Sequence, residues 1–221
     1  MDNWQEFIEI IGKSRLKENN LAKLYIEVER IDDLIKIVKE ARIHRVPAFI
    51  IGTGSRASIP RSQINGLMIK NNCHRFDVFG IKGKIKERNL GVEKASVYAE
   101  SGTNINQLVR FTIEKGLSGL EYHLGMPGTI GGAIYTNSRY TPKKIYICDA
   151  VEKIKIINKE GDILEVSGDY FASRDNNEFS QSDAIILSAV FSMHPEDKKI
   201  LWEKGNEAAV YRKNLNFTSA T

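Results

Sequence analysis

The sequence predicts an α+β fold in two parts, and three observations predict it. A strand, an amphipathic helix and a second strand follow one another between Leu21 and Ile51. Later, Val151–Ile157, Asp162–Val166 and Ala184–Phe191 read as one strand after another. Between these regions lie three short, polar, glycine-bearing segments, Gly52–Ser55, Ser101–Thr103 and Gly125–Ala133, the first two placed where strands end. The expected division is an N-terminal helix within 1–19, a β-α-β lobe over 20–93, a second lobe over 94–195 around a mixed or antiparallel sheet, and the start of a C-terminal region over 196–221.

Each element has its own reason. Trp4, Phe7, Ile8, Ile10 and Ile11 recur at helical spacing before Gly12. Leu21–Glu29 alternates apolar and polar residues, as a half-buried strand does. Asp32-Asp33 opens a helix with Leu34, Ile35, Ile37, Val38 and Ala41 on one side and Lys36, Lys39, Glu40 and Arg42 on the other. Val46–Ile51 then reads as a buried strand and Leu67–Ile69 as a short one, with Cys73–Glu93 a basic loop containing a hairpin. Ala95–Ala99 is a strand, and Asn104 caps a helix carrying Ile105, Leu108, Val109 and Ile113, which Lys115-Gly116 closes. Asn158–Gly161 is a hairpin turn, and Lys198–Val210 a helix with mixed faces.

Composition narrows the function classes. The 221 residues are 42% hydrophobic and 27% charged, ordinary for a globular protein with a real core. A net charge of +4 suits an anionic nucleotide and falls far short of a nucleic-acid binder's excess. Cys73 and Cys148 stand alone and the four histidines are scattered, so neither a disulfide framework nor a metal site is expected. No apolar run is long enough to span a membrane, and the first residues lack the form of a signal peptide, which makes a cytoplasmic protein the expectation.

The glycine segments carry the chemistry. Gly125-Met-Pro-Gly-Thr-Ile-Gly-Gly-Ala133 holds four glycines and a proline in nine residues, too many for a helix interior. Such a run can aim several backbone N–H groups at one anion, although glycine-rich segments are commonly plain turns. Gly52-Thr-Gly-Ser-Arg-Ala57 formally satisfies a dinucleotide fingerprint, but Pro60 would break the helix that fingerprint requires. What survives there is a glycine loop between strands. Three such loops converging would bind a diphosphate without needing a lysine.

The order of residues resembles a known family. Gly52–Ser55, Val97-Tyr-Ala-Glu-Ser-Gly102, Gly116-Leu-Ser-Gly-Leu-Glu121, Gly125–Ala133 and Asn137 are similar to the UDP-N-acetylenolpyruvoylglucosamine reductases, flavoproteins of peptidoglycan synthesis with the two-lobed FAD-binding PCMH-type fold of vanillyl-alcohol oxidase. The resemblance runs from about residue 17 to the end. It implies FAD extended between the lobes and NADPH as electron donor. It also implies cofactor contacts from Gly52, Thr53, Gly54, Ser55, Ser101, Gly102, Gly125, Pro127, Gly128, Thr129, Gly131, Gly132, Ala133 and Asn137. The substrate would be a UDP-sugar carrying an enolpyruvyl group. Arg174, in Tyr170-Phe-Ala-Ser-Arg-Asp175, matches the arginine that stabilises the enolate.

Departures accompany the resemblance. Ser173 and Asn176 replace the family's tyrosine and serine around the arginine, Ser138-Arg-Tyr140 replaces Gly-Ala-Tyr, and Arg56-Ala57 replaces asparagine and leucine. Tyr211–Thr221 resembles the approach to the family's Gly-Ser-x-Phe string, and Ser219 precedes the position of its proton-donating serine. The sequence leads to the expectation of an incomplete or impaired reductase, with a protein partner able to supply the remaining region. A flavin- or nucleotide-binding module without catalysis, or the FAD subunit of another oxidoreductase, is the alternative.

Overall fold

The computed structural model describes residues 3–12, 16–17, 22–55, 63–86, 89–172 and 183–218. Helix α1 (Asn3–Ile11) packs Phe7 and Ile11 beneath α2 (Ile31–Ile43). Leu34, Ile37, Val38 and Ala41 form the buried stripe of α2, and Asp32 and Asp33 sit in its first turn, where carboxylates suit the helix dipole. Strands β1 (Ala22–Val28), β2 (Ala48–Ile51) and β3 (Ile64–Asn71) make a parallel three-stranded sheet in the order β1-β3-β2. The expected β-α-β unit is therefore present, with β3 inserted between its two strands.

The second sheet is antiparallel throughout. β4 (Phe76–Lys86), β5 (Asn89–Glu100), β9 (Val151–Ile157), β10 (Ile163–Ser167) and β11 (Ile185–Pro195) lie in the order β10-β9-β11-β5-β4, and the two-residue β6 (Leu117–Ser118) pairs with the end of β11. The stretch expected to be a loop with a hairpin is mostly strand, and residues 76–86 and 89–93 belong to this second sheet rather than to the first lobe. Register shifts at Val78/Gly80 and Lys82/Gly83 break the period-two alternation that would have marked β4 as a strand. The β9–β10 turn is the expected one: Gly161 has φ +90° and the Asn158 side chain accepts from the Asp162 N–H at 2.8 Å.

Helix α3 (Ile105–Glu114) starts where expected, with the Asn104 Oδ1 accepting from the N–H groups of Asn106 (2.9 Å) and Gln107 (3.3 Å). Gly116 beyond it holds φ +69°. Helix α4 (Ile130–Tyr135) is a correction. The glycine-rich stretch is not all loop, because Thr129 caps a helix with Gly131 and Gly132 in its first turn, and Gly131 allows a close contact with Ser101 that a side chain would prevent. A small hairpin follows, β7 (Arg139–Tyr140) with β8 (Ile145–Tyr146), and a four-residue helix α5 (Asp169–Ala172) leads out of β10.

The last helix, α6 (Lys198–Thr218), is twenty-one residues long and runs well past the expected Val210. The Asp197 side chain caps it, accepting from the Lys199 N–H at 2.9 Å. Leu201 and Ala208 are buried, and a Cβ on Gly205 would come within 3.1 Å of Leu124. Two apolar cores result. The larger fills the second sheet and its helices; the smaller lies between α2 and the first sheet and takes in Ile157 and Leu187 from the second. The lobes thus share buried surface. Among the described residues no helix is long and apolar enough to cross a membrane.

Candidate cofactor site

The three glycine-bearing segments meet. β2 delivers Gly52 so close to Thr129 that a Cβ on it would lie 2.6 Å from the threonine Oγ1. Gly128, at φ +123°, similarly faces Ser55, whose Oγ is 3.3 Å from where a Cβ would be. On the other side, the Gly131 N–H donates to the Ser101 carbonyl at 2.7 Å, and a Gly131 Cβ would come 2.9 Å from the Ser101 Cβ. The Ile130 N–H donates to Thr103 O (2.9 Å) and the Ile105 N–H to Gly128 O (3.2 Å). Ser101 is tied to β11 through its N–H on Leu187 O at 2.9 Å.

Asn71, at the end of β3, completes the junction. It is 4% exposed; its Nδ2 donates to the Ser101 Oγ at 2.8 Å and its Oδ1 accepts from the Cys73 N–H at 3.0 Å. Gly102 is pressed against the same corner, where a Cβ would lie 2.5 Å from Cys73 O. Lys70 donates its Nζ to the Gly52 carbonyl.

Between the lobes is a cavity of about 720 Å³. One end is polar and formed by Gly52, Asn71, Ser101, Thr129, Gly131 and Gly132. The other is an aliphatic slot with Val38, Ala41, Val46, Ala48, Ile50 and Ile185 in its walls, and Arg42, Arg45 and Asp183 at its rim. Arg42 bridges the lobes, donating to the Asn158 carbonyl and, at 2.8 Å, to the Asp183 carbonyl. Burial holds its guanidinium below the usual arginine range.

Of the residues singled out from sequence, Gly52, Ser101, Thr129, Gly131 and Gly132 line the cavity. Gly128 and Ser55 lie against each other beside it, while Thr53, Gly54, Gly102 and Pro127 flank these contacts in the chain. Gly125 sits elsewhere, under α6, where a Cβ would lie 2.9 Å from the Ala209 Cα. Asn137 is buried below α4 at φ +38°, its Oδ1 facing the Cys148 N–H at 3.4 Å, and Ala133 packs into the larger core. Arg174 and the neighbouring Ser173 and Asn176 lie outside the described residues, as do Arg56, Ala57 and Ser219. The 125–133 run has only some of its N–H groups to aim at an anion. Those of Ile130 and Gly131 are used in holding the loops together, and that of Gly132 is turned to Thr129 Oγ1 at 3.4 Å. Among the described residues no hydrogen bond uses the N–H groups of Thr53, Gly54, Ser55, Gly102, Gly128 or Thr129. These are the donors that remain for a ligand.

Sequence reasoning missed Asn71, Arg42, Arg45, Tyr135, Asp183 and Ile185 in the wall. A polar residue ending an apolar strand, as Asn71 does, was the one available signal.

A second polar cluster lies under α6. His123 is fully buried; burial, and then the charge of Arg212, pushes its pKa down to about 3, against a smaller opposing pull from the Tyr146 backbone. Arg212 donates to Leu124 O at 2.8 Å, and Glu207 accepts from Tyr140 Oη (3.0 Å) and Lys143 Nζ (2.9 Å).

Two lobes, one parallel and one antiparallel, closing on a slot rimmed by glycine loops define a protein built to hold an elongated nucleotide cofactor. Residues 22–167 match the family model described as an FAD binding domain, and the chain belongs to that family. Among curated proteins it is 28% identical to the UDP-N-acetylenolpyruvoylglucosamine reductase of Borrelia garinii subsp. bavariensis, over 90% of this chain and 60% of that protein. To the enzyme of the same name from Clostridium tetani it is 24% identical, over 100% of this chain and 73% of the relative. The structure of the corresponding reductase from Thermus caldophilus superposes with a TM-score of 0.63 at 19% identity, covering 86% of this chain and 62% of that one. Alkyldihydroxyacetonephosphate synthase superposes at 0.59 and 16%, over 86% and 40%. The fold is the two-lobed PCMH-type FAD-binding fold. The chain spans about 60% of the length of the Borrelia garinii subsp. bavariensis reductase and 73% of that from Clostridium tetani.

Proposed function

We propose that the chain binds FAD across the inter-lobe cavity and carries the cofactor half of a UDP-N-acetylenolpyruvoylglucosamine reductase. The observation that carries this is the meeting of the Gly52–Ser55, Ser101–Gly102 and Gly128–Gly132 segments, of which Gly52, Ser101, Thr129, Gly131 and Gly132 line the cavity, with N–H groups of all three segments left to donate. The cradle fits the group. A Cβ on Gly52, Gly102 or Gly131 would occupy space the three loops need to approach each other. The diphosphate would take the N–H groups of Thr53, Gly54, Ser55 and Gly102 near Thr129, and a cavity of about 720 Å³ is within the size range of cofactor sites.

Bound FAD would supply the hydride chemistry, reduced by NADPH and reducing the enolpyruvyl double bond of the UDP-sugar. The protein's part is to exclude water from the slot, through its aliphatic walls, and to hold the lobes in register, through Asn71 and Arg42. Arg174 is the group proposed to face the developing enolate, where a fixed guanidinium stabilises negative charge. The reductase activity would be cytoplasmic, with a protein partner supplying further substrate-binding surface.

The test is direct. Purified chain should be yellow, or should take up FAD in a titration followed by flavin fluorescence, with the released cofactor running as FAD in chromatography. NADPH oxidation that depends on the enolpyruvyl UDP-sugar tests the reductase assignment. A chain that neither carries nor binds flavin refutes the cofactor reading; flavin without turnover refutes only the claim that this chain reduces the UDP-sugar by itself.

A further inference from the structure

The turn that ends α2 is unusual in a way that points into the cavity. Its hydrogen bonds are those of a left-handed helix stop: Arg45 N–H to Arg42 O (3.0 Å) and Val46 N–H to Ala41 O (2.7 Å). The residue that turns left-handed in this motif is usually glycine, because a side chain there is strained. Here it is Arg45, at φ +54°. Its guanidinium makes no hydrogen bond or ion pair among the described residues, unlike that of Arg42, and it lines the cavity rim. Backbone strain retained under a long charged side chain at the lip of a ligand slot is the kind of outlier that marks a functional position.

We propose that Arg45 is a specificity residue for the adenosine half of the dinucleotide, laying its guanidinium against the purine ring in the aliphatic slot. The proposal rests on the cofactor reading above and deepens it. Scale supports it: β2 runs from Ala48 beside Arg45 to the glycine loop at Gly52, four strand steps or about 13 Å. An arginine reaching back along that wall leaves room for a ribose and a base next to a diphosphate held at the loop. Chemistry assigns the half. A flavin ring exchanging hydride with a second substrate needs an open face, whereas this slot is backed by α2 and bridged by Arg42 across to Asn158 and Asp183. The flat group suited to an aliphatic slot with a guanidinium at its lip is the base.

Arg45→Gly separates this role from a structural one. Glycine relieves the left-handed strain, so the unfolding midpoint of the ligand-free variant should rise, by roughly 2 °C, while affinity for FAD and for ADP alone should fall roughly tenfold. Binding of FMN, which lacks the adenosine half, should not change. Titrations of FAD, FMN and ADP by calorimetry, on wild type and Arg45→Gly, read all three. Equal ADP affinity in the two proteins overturns the role of Arg45. An equal, salt-sensitive loss for FMN and ADP also overturns it, because the guanidinium would then be serving phosphate. Wild type that binds ADP but no flavin overturns the cofactor reading and leaves Arg45 to be judged on ADP, and wild type that binds none of the three overturns both.

Discussion

The junction of the first glycine loop with the capped start of α4 can be tested by a double-mutant cycle at Gly52 and Thr129. In Gly52→Ala the new methyl would sit 2.6 Å from Thr129 Oγ1 and 2.9 Å from its Cγ2, well inside contact distance. Thr129 is 7% exposed, so it has little room to turn away, and overpacking of this kind costs about 1–3 kcal/mol. Thr129→Ala alone removes the side chain that caps α4 and accepts from Gly132, a loss of about 1 kcal/mol. In the double variant both clashing atoms are gone and only the Cβ remains, 3.3 Å from the new methyl. The cost should then approach that of Thr129→Ala, giving a coupling of about 1–3 kcal/mol in favour of the double variant. Urea denaturation of the four proteins, followed by far-ultraviolet circular dichroism at constant slope, measures it. FAD titrations on the same set should show the Gly52→Ala loss largely restored in the double variant. Effects that add to within about 0.5 kcal/mol would refute the reasoning, since the two segments would then not be in contact.

Other consequences can be checked in the same way. Arg42→Ala removes both bonds from α2 to the second lobe and should lower stability by about 1–2 kcal/mol in urea denaturation, with FAD affinity falling as the slot loosens. His123 is held neutral in the folded state, with a pKa near 3 against an ordinary 6.5, so the unfolded chain binds the extra proton between those values. Stability should therefore fall as pH drops below about 6.5, by about 2 kcal/mol on reaching pH 5. His123→Leu should flatten that slope, as read from unfolding midpoints across pH. Burial pushes the thiols of Cys73 and Cys148 up to about 12, so neither should react with an aromatic disulfide reagent in native protein at pH 8, and both should react at once in denaturant.

Local signals were readable where one residue type does one job. Asn104 had to be a cap and Asn158–Gly161 a tight turn, and both are. The stripe of α2 was legible because Leu34, Ile37, Val38 and Ala41 fall on one face of a 3.6-residue period. β4 was not, because two register shifts move its side chains from one face to the other and no simple period survives. The 125–133 segment was half legible. Its glycines marked a close approach correctly, but composition alone could not tell a loop from a capped helix whose first turn touches Ser101. The aliphatic wall of the cavity was hidden for a different reason. Ala48, Ile50 and Ile185 look like any strand residues until two separate sheets place them opposite one another.

The bridge made by Arg42 has a consequence for how this sequence can drift. Both acceptors are peptide oxygens, of Asn158 and Asp183, rather than carboxylates. Replacing either side chain leaves its carbonyl in place, provided the turn keeps its shape, so the information for this inter-lobe contact resides in one codon instead of three. Nor can acid discharge a peptide oxygen, so the tie outlasts the pH at which bridges to aspartate or glutamate fail. Among homologous chains, variation at 158 and 183 that keeps the backbone turns should matter less for lobe spacing than variation at 42.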